Sequence, residues 1–264
     1  MDLNLKDKVV IITGGSKGIG AGCVEVLAAE GAIPVIVGRS PQVGRDLLAT
    51  LGEVGEKGIV IEAELTSEEA CKNAISVTLE KYDRLDGIVH NAGVNDGVKL
   101  SSSPTDFMAS LQKNIFHVFT LTHYGLDALK TSKGFIINIS SKVAETGQGD
   151  TSGYAAAKGA MNALTREWAL SLAEYSIRVN TVVPAEVMTP LYQSWLDTLD
   201  DPDQTLRDIE ARIPLEQRMT TSHEIANAVA FLASDKSAHT TGQIVYPDGG
   251  YVHFDRSYGK VEKS

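Results

Sequence analysis

The chain has 264 residues, of which 43% are hydrophobic and 22% charged, and a formal net charge of −10. That length and apolar share suit one large domain, residues 1–264, with a full core. The acidic balance disfavours nucleic acid and anionic membranes as partners, and no apolar run approaches the ~18 residues of a membrane helix.

The start, "MDLNLKDK", lacks the basic-then-apolar pattern of a signal peptide, so a cytoplasmic location is expected. The first strand, "VVIIT" (9–13), runs straight into "TGGSKGIG" (13–20) and a helix over 18–30. Gly14, Gly18 and Gly20 fall at that strand-to-helix junction. Glycine there permits a tight turn and lets backbone N–H groups approach a phosphate at a helix N-terminus. The second strand, "IPVIV" (33–37), ends in Gly38, Arg39 and Ser40. An NAD site usually carries a carboxylate about 20 residues past the glycines, on the ribose hydroxyls. Here Arg39 and Lys17 stand where a 2′-phosphate would lie, which favours NADP and leaves NAD open. A helix over 41–51 and a strand over 58–63 follow.

Helix 67–82 opens with "TSEEA", a capping residue followed by glutamate, and strand 87–90 leads into "HNAG". A long helix is expected over 105–130, then the strand "FIINIS" (135–140). In the helix over 152–175, "SGYAAAKG" places Tyr154 and Lys158 four apart on one face. Unit charges ~5 Å apart interact by ~3 kcal/mol at an effective dielectric of ~20, about two pKa units, so Lys158 is expected to draw Tyr154 toward neutrality as an acid or base. Strand 177–183 precedes an irregular stretch over 184–214. Helix 223–234, opened by "TSHEIA", then leads to strand 243–246 and a tail after Gly250. Cys23 and Cys71 match no metal or redox spacing and read as small core residues, and no histidine spacing indicates a metal.

The strand candidates are continuously apolar and alternate with helices. That predicts an α/β fold: a doubly wound, seven-stranded parallel sheet with helices on both faces, of Rossmann type.

With "TGGSKGIG", "HNAG" (90–93), "NISS" (138–141), "YAAAK" and "DGG" (248–250) in order, the chain resembles the short-chain dehydrogenase/reductase superfamily over nearly its whole length. His90 stands where the superfamily has a first Asn. The resemblance implies catalytic roles for Asn114, Ser141, Tyr154 and Lys158. It implies dinucleotide contacts from Ser16, Ile19, Glu64, Leu65, Asn91, Ala92 and Gly93, and from Pro184, Val187 and Thr189 of a closing loop. It also implies a homotetramer.

Ala185 and Glu186 replace the glycine that usually follows the loop proline. With "GVNDG", "TGQG", "PAEVMTPLY" and "DGGYVHFDR", they resemble the L-fucose dehydrogenase branch. That implies oxidation of an aldopyranose at C1 to the lactone. Asn95, Ser141, Gln148, Glu186, Tyr192, Trp195 and His253 are then the sugar-binding candidates, with 184–214 as the substrate loop. Two alternatives stay open: an NADPH-dependent reductase of ketones or 3-oxoacyl chains, and a non-catalytic NADP-binding regulator.

Overall fold

In the computed structural model, which describes residues 2–254, the expected β-rich runs become seven strands. They are β1 (Val9–Thr13), β2 (Ile33–Gly38), β3 (Ile59–Glu62), β4 (Gly87–His90), β5 (Phe135–Ile139), β6 (Arg178–Val182) and β7 (Ile244–Val245). They form one sheet in the order β3-β2-β1-β4-β5-β6-β7, every neighbouring pair parallel. Residues of β1, β4 and β5 are all buried, as continuous apolar runs require. The edge strands β3 and β7 are only half-buried.

Among the described residues ten α-helices accompany them: α1 (Gly18–Ala29), α2 (Pro41–Ala49), α3 (Gly52–Lys57), α4 (Glu68–Tyr82), α5 (Pro104–Leu111), α6 (His117–Ser132), α7 (Ser152–Ser171), α8 (Pro190–Leu196), α9 (Pro202–Glu210) and α10 (Ser222–Ala233). Successive residues of a strand face opposite sides of a sheet. Val10 and Ile12 of β1 accordingly meet Val24 and Leu27 of α1 and Ile225 and Val229 of α10. Val9 and Ile11 share the other face with Ile75 of α4, Leu121 of α6 and Ala169 of α7. The buried Cys23 and Cys71 belong one to each layer. No described helix is long and apolar enough to cross a membrane.

Three expectations are corrected. The helix expected over 105–130 is interrupted by a π-helical turn, Gln112–Phe116, between α5 and α6. The helix expected over 41–51 ends at Ala49, and α3 follows it as a further helix. The 184–214 stretch is not irregular throughout, because it holds α8 and α9. Thr189 and Asp201 cap these two helices, and each has a proline in its first turn. Proline there loses a hydrogen bond that the helix would not have made, so Thr-Pro and Asp-Pro are helix starts as much as turn signals. The other capping signals act as written: Ser67 accepts from Ala70 N, and Thr221 with Glu224 forms a capping box. The tail expected after Gly250 is described only as far as Phe254, and its remainder lies outside the described residues.

Because β1 lies between β2 and β4, the sheet grows in opposite directions from it. Such a switch point leaves a crevice at the carboxyl ends of the strands.

Candidate active site

The crevice is a cleft of about 590 Å³, lined by the loops that follow the strands. Its first wall is the glycine loop after β1. Gly14 and Gly18 have φ of +64° and +57°, a region that side chains disfavour. Gly20 does not line the cleft, but a Cβ on it would come within 2.3 Å of the Gly14 carbonyl oxygen. Its bareness is what lets α1 close beneath the loop. Lys17 precedes α1 without a side-chain cap, so the first N–H groups of that helix are left for a ligand. Ser16 and Ile19 line the same wall. Asn91, after β4, donates to the carbonyls of Thr13 and Gly14 at 2.9 and 3.3 Å, and so holds the loop from below. A pyrophosphate fits this cradle of bare backbone and an uncapped helix start.

The far end of the cleft is charged. The Arg39 guanidinium, 78% exposed, stands 3.9 Å from the Glu64 carboxylate. The other oxygen of Glu64 accepts from the N–H and hydroxyl of Thr66 at 3.3 and 3.2 Å. Leu65, Ala92 and Gly93 complete this part of the lining.

The second wall carries the candidate catalytic groups. Ser141 follows β5, while Tyr154 and Lys158 project from α7. Ser140 hydrogen-bonds the Lys158 carbonyl at 3.1 Å, which leaves the Ser141 hydroxyl as the one bonded to Tyr154. The Lys158 ammonium, almost wholly buried, donates to the Ile139 carbonyl at 2.7 Å. Asn114 sits in the π turn: its Oδ1 accepts from Val94 N at 2.7 Å, and its Nδ2 donates to the Ser110 carbonyl at 2.9 Å. A Cβ on Gly93 would lie 3.0 Å from Asn114 Oδ1 and 3.4 Å from Lys158 Nζ. Glycine at that point is what brings Asn114 and Lys158 together.

Burial pushes the Tyr154 phenol up to about 12, against the opposing pull of Ser141. It pushes the Lys158 ammonium down to about 8. Lys158 Nζ is 5.5 Å from the Tyr154 ring centroid. The pair that was expected to titrate near neutrality is therefore dominated, in the free chain, by desolvation.

The substrate side departs further from expectation. Of the sugar-binding candidates, Ser141 and Tyr192 line the cleft, and Asn95, Gln148, Glu186, Trp195 and His253 do not. Asn95 accepts from Gly97 N at 3.3 Å, and Gln148 is exposed on its loop. Trp195 packs edge-on to Tyr192, with ring centroids 5.2 Å apart, and His253 does the same with Tyr246 at 5.1 Å. Glu186 is buried behind the lining. One of its oxygens pairs with Lys142, and the other accepts from the Tyr192 hydroxyl at 2.9 Å. The expectation that substrate hydroxyls satisfy this carboxylate gives way to an internal cation and a phenol. Burial and then the Glu186 charge push the Tyr192 phenol up. Lys142 also stands over the Tyr251 ring, 4.3 Å from its centroid.

Pro184, Val187 and Thr189 line the cleft from the loop between β6 and α8. A Cβ on Gly18 would lie 3.2 Å from Thr189 Cβ, so the loop lies against the glycine cradle. Sequence reasoning missed Lys142 and Tyr251. The available signal for Lys142 was a lysine and a glutamate following neighbouring strands, β5 and β6, at the same end of the sheet.

A family model described as Enoyl-(Acyl carrier protein) reductase matches residues 14–252. The L-fucose dehydrogenase of Bos taurus is 34% identical over 256 residues, 96% of this chain and 93% of that protein. The 3-oxoacyl-[acyl-carrier-protein] reductase FabG of Thermotoga maritima is 34% identical over 254 residues, 95% of this chain and 100% of that protein. Among solved structures, one described as Cj0485 dehydrogenase superposes with a TM-score of 0.93 at 44% identity, covering 97% of this chain and 98% of its own. The aldohexose dehydrogenase of Thermoplasma acidophilum gives 0.85 at 29%, covering 97% and 98%.

Proposed function

Because the chain belongs to the short-chain dehydrogenase/reductase family, NAD(P)-using oxidoreductases, we propose that it oxidises an aldopyranose, L-fucose or a related sugar, at C1 to the lactone. The observation that carries this reading is the convergence of Ser141, Tyr154 and Lys158 on a cleft whose other wall is the glycine cradle. Gly14, Ser16, Gly18 and Ile19 hold the pyrophosphate of the dinucleotide, and Arg39 and Lys17 favour the 2′-phosphate of NADP over NAD. When bound, the dinucleotide supplies the hydride acceptor and, oxidised, a positive ring beside the phenol.

Tyr154 takes the proton of the substrate hydroxyl. Ser141 holds the same oxygen and stabilises charge as it develops there. Lys158 stabilises the phenolate and bonds the cofactor ribose, and Asn114 supports a water that connects Lys158 to solvent. The Lys142–Glu186–Tyr192 array behind the lining sets the shape of the sugar pocket, with Tyr192 as its contact to substrate. The relatives that act on L-fucose and aldohexose support the sugar class.

The FabG relative favours a second reading, reduction of ketones or 3-oxoacyl chains with NADPH. A panel of aldoses with NAD and NADP, followed at 340 nm, decides between them. Oxidation of L-fucose, with D-arabinose slower, is expected. Turnover of apolar ketones with NADPH and of no aldose would overturn the sugar reading. Binding of NADP without turnover of either class would instead favour a regulator. The apolar surface of Phe119 and Leu126 on α6 and Trp168 on α7 suits an isologous contact. A homotetramer is proposed on that ground, to be checked by light scattering.

A further inference from the structure

Asn138, the residue before the Ile139 whose carbonyl holds Lys158, belongs to a buried polar layer that the proposed chemistry leaves unused. His90 ends β4 and is the register partner of Asn138 on β5, so both side chains leave the sheet on the same side. His90 Nε2 is 3.0 Å from the Thr122 hydroxyl, and its Nδ1 has no hydrogen-bond partner. His117, the first residue of α6, tilts toward it with ring centroids 6.2 Å apart; one of its ring nitrogens faces the Ala92 carbonyl and the other has no partner. Asn138 donates to Thr165 at 2.8 Å while its Oδ1 is unpartnered. All three residues are fully buried.

Burying a polar atom without a hydrogen bond is costly, so three in one layer is more than a packed core of ordinary design carries. Internal water, with about three hydrogen bonds to such groups, is the usual remedy. The layer is also electrically coupled to the site. Burial, first, and then the Lys158 charge push His117 down to about 3, with the Ala92 carbonyl pulling the other way. Burial, His117 and Lys158 push His90 well down. The titratable groups that act on the pair are each other, from β4 and α6, and Lys158, from α7; β5 contributes the neutral Asn138. Both imidazoles are therefore neutral in the range where Lys158 titrates, near pH 8.

We propose that His90, His117 and Asn138 bind internal water near Lys158, and that this neutral hydrated layer is a positioning element which keeps Lys158 an ammonium. The proposal rests on reading Tyr154 and Lys158 as the catalytic pair. Solvation from that layer offsets part of the desolvation that drives Lys158 downward. Removing it makes Lys158 a weaker base, thins the positive charge beside Tyr154 and makes the phenolate harder to form.

The test compares His117→Leu with His117→Gln, and uses Asn138→Leu as a second way to dry the layer. Lys158 is titrated by ¹⁵N NMR in the cofactor-free protein, its signal assigned by loss in Lys158→Met. His117→Leu and Asn138→Leu are expected to lower the Lys158 titration by about one pH unit, a tenfold change in its ionisation equilibrium. His117→Gln should stay close to wild type. In the pH profile of oxidation, the acid limb should move to higher pH in the two leucine variants, with turnover recovered in alkali. An unchanged Lys158 titration with a lowered Tm would mean that the histidine only packs, and would overturn the proposal. Equal shifts in His117→Leu and His117→Gln would overturn it too, since polarity would not be the cause. The titration needs no substrate, so a wild type that oxidises no alcohol would count against the dehydrogenase reading alone.

Discussion

The two walls of the cleft are built on different principles. The dinucleotide wall is made of backbone: glycines at 14 and 18 with Gly20 packed behind them, the uncapped start of α1, and Asn91 bracing the loop through main-chain carbonyls. The substrate wall is held by charge: Glu186 is tied to Lys142 from the β5 loop and to Tyr192 from α8, and Lys142 stands over Tyr251 near the chain's far end. A backbone cradle binds what every dinucleotide shares. A side-chain array can be changed one residue at a time without disturbing the cradle, which makes that array the proposed seat of specificity.

Tyr154→Phe separates chemistry from both walls and carries the largest expected effect. It keeps the ring and removes the ionisable oxygen, so turnover should fall at least ~100-fold, the low end for losing a general acid–base group. Dinucleotide affinity should hardly change. Near-normal turnover in the variant would remove Tyr154 from the mechanism. With Tyr154 as the proposed base, oxidation needs its phenolate, and in the free chain burial raises that phenol to about 12. The rate is therefore expected to rise with pH through the neutral range.

The charge-held wall predicts the next effect. Glu186→Ala leaves the Lys142 ammonium in a largely buried place without its partner. Breaking such a pair costs about 3 kcal/mol, and the loop that it anchors should loosen. We expect a clear drop in Tm and a KM for the sugar roughly tenfold higher, the low end of a lost charge-assisted bond. Lys142→Met should do the same, and Lys142→Met/Glu186→Ala should lose less than the two singles added together. Strict additivity would show that the pair does not act as a unit.

These two regions also differ in how far they could be read from sequence. Gly14, Gly18, Gly20, Tyr154 and Lys158 stand out because their constraint is local: a turn with positive φ, or one helical face. Seven strands were legible because buried parallel strands read as unbroken apolar runs. The π turn at Asn114 was not: it goes with a contact across 20 residues, from Val94 N to Asn114 Oδ1, that no local pattern announces. Nor was the pairing of Lys142 with Glu186, across 44 residues. The histidine at 117 sits in an apolar helix run and gives no local sign of its neighbour at 90.

Lys158 shows the cost of the site in stability. Its titration lies near 8 in the folded chain against an ordinary 10.5. Between those values the unfolded chain holds a proton that the folded chain has shed, so stability rises with pH across the window and is lost as pH falls toward 8. Below it the folded state bears the full penalty, about 3 kcal/mol for the difference. Lys158→Met should therefore raise Tm at pH 7 while abolishing turnover, with the gain fading toward pH 10. A lower Tm at pH 7 would mean that the bond to the Ile139 carbonyl outweighs desolvation.

The smallest expected effect tests whether the dinucleotide wall is as indifferent to side chains as its glycines make it look. Arg39 is the exception on that wall, an exposed guanidinium at the ribose end, in loose contact with Glu64 at 3.9 Å. A pair so open to solvent is worth little to stability, so Arg39→Asp should leave Tm nearly unchanged. Its value would lie in binding. A guanidinium can bond a 2′-phosphate with two parallel N–H groups, whereas a carboxylate repels the phosphate and accepts from ribose hydroxyls instead. The ratio of kcat/KM for NADP over NAD should fall about tenfold or more in Arg39→Asp, as expected when a charged hydrogen bond of about 1.5–3 kcal/mol is lost. Glu64→Gln frees Arg39 from its carboxylate and should move the ratio the other way by a smaller factor. If neither variant changes the ratio, Arg39 and Glu64 serve only each other, and the cradle binds both dinucleotides through backbone alone.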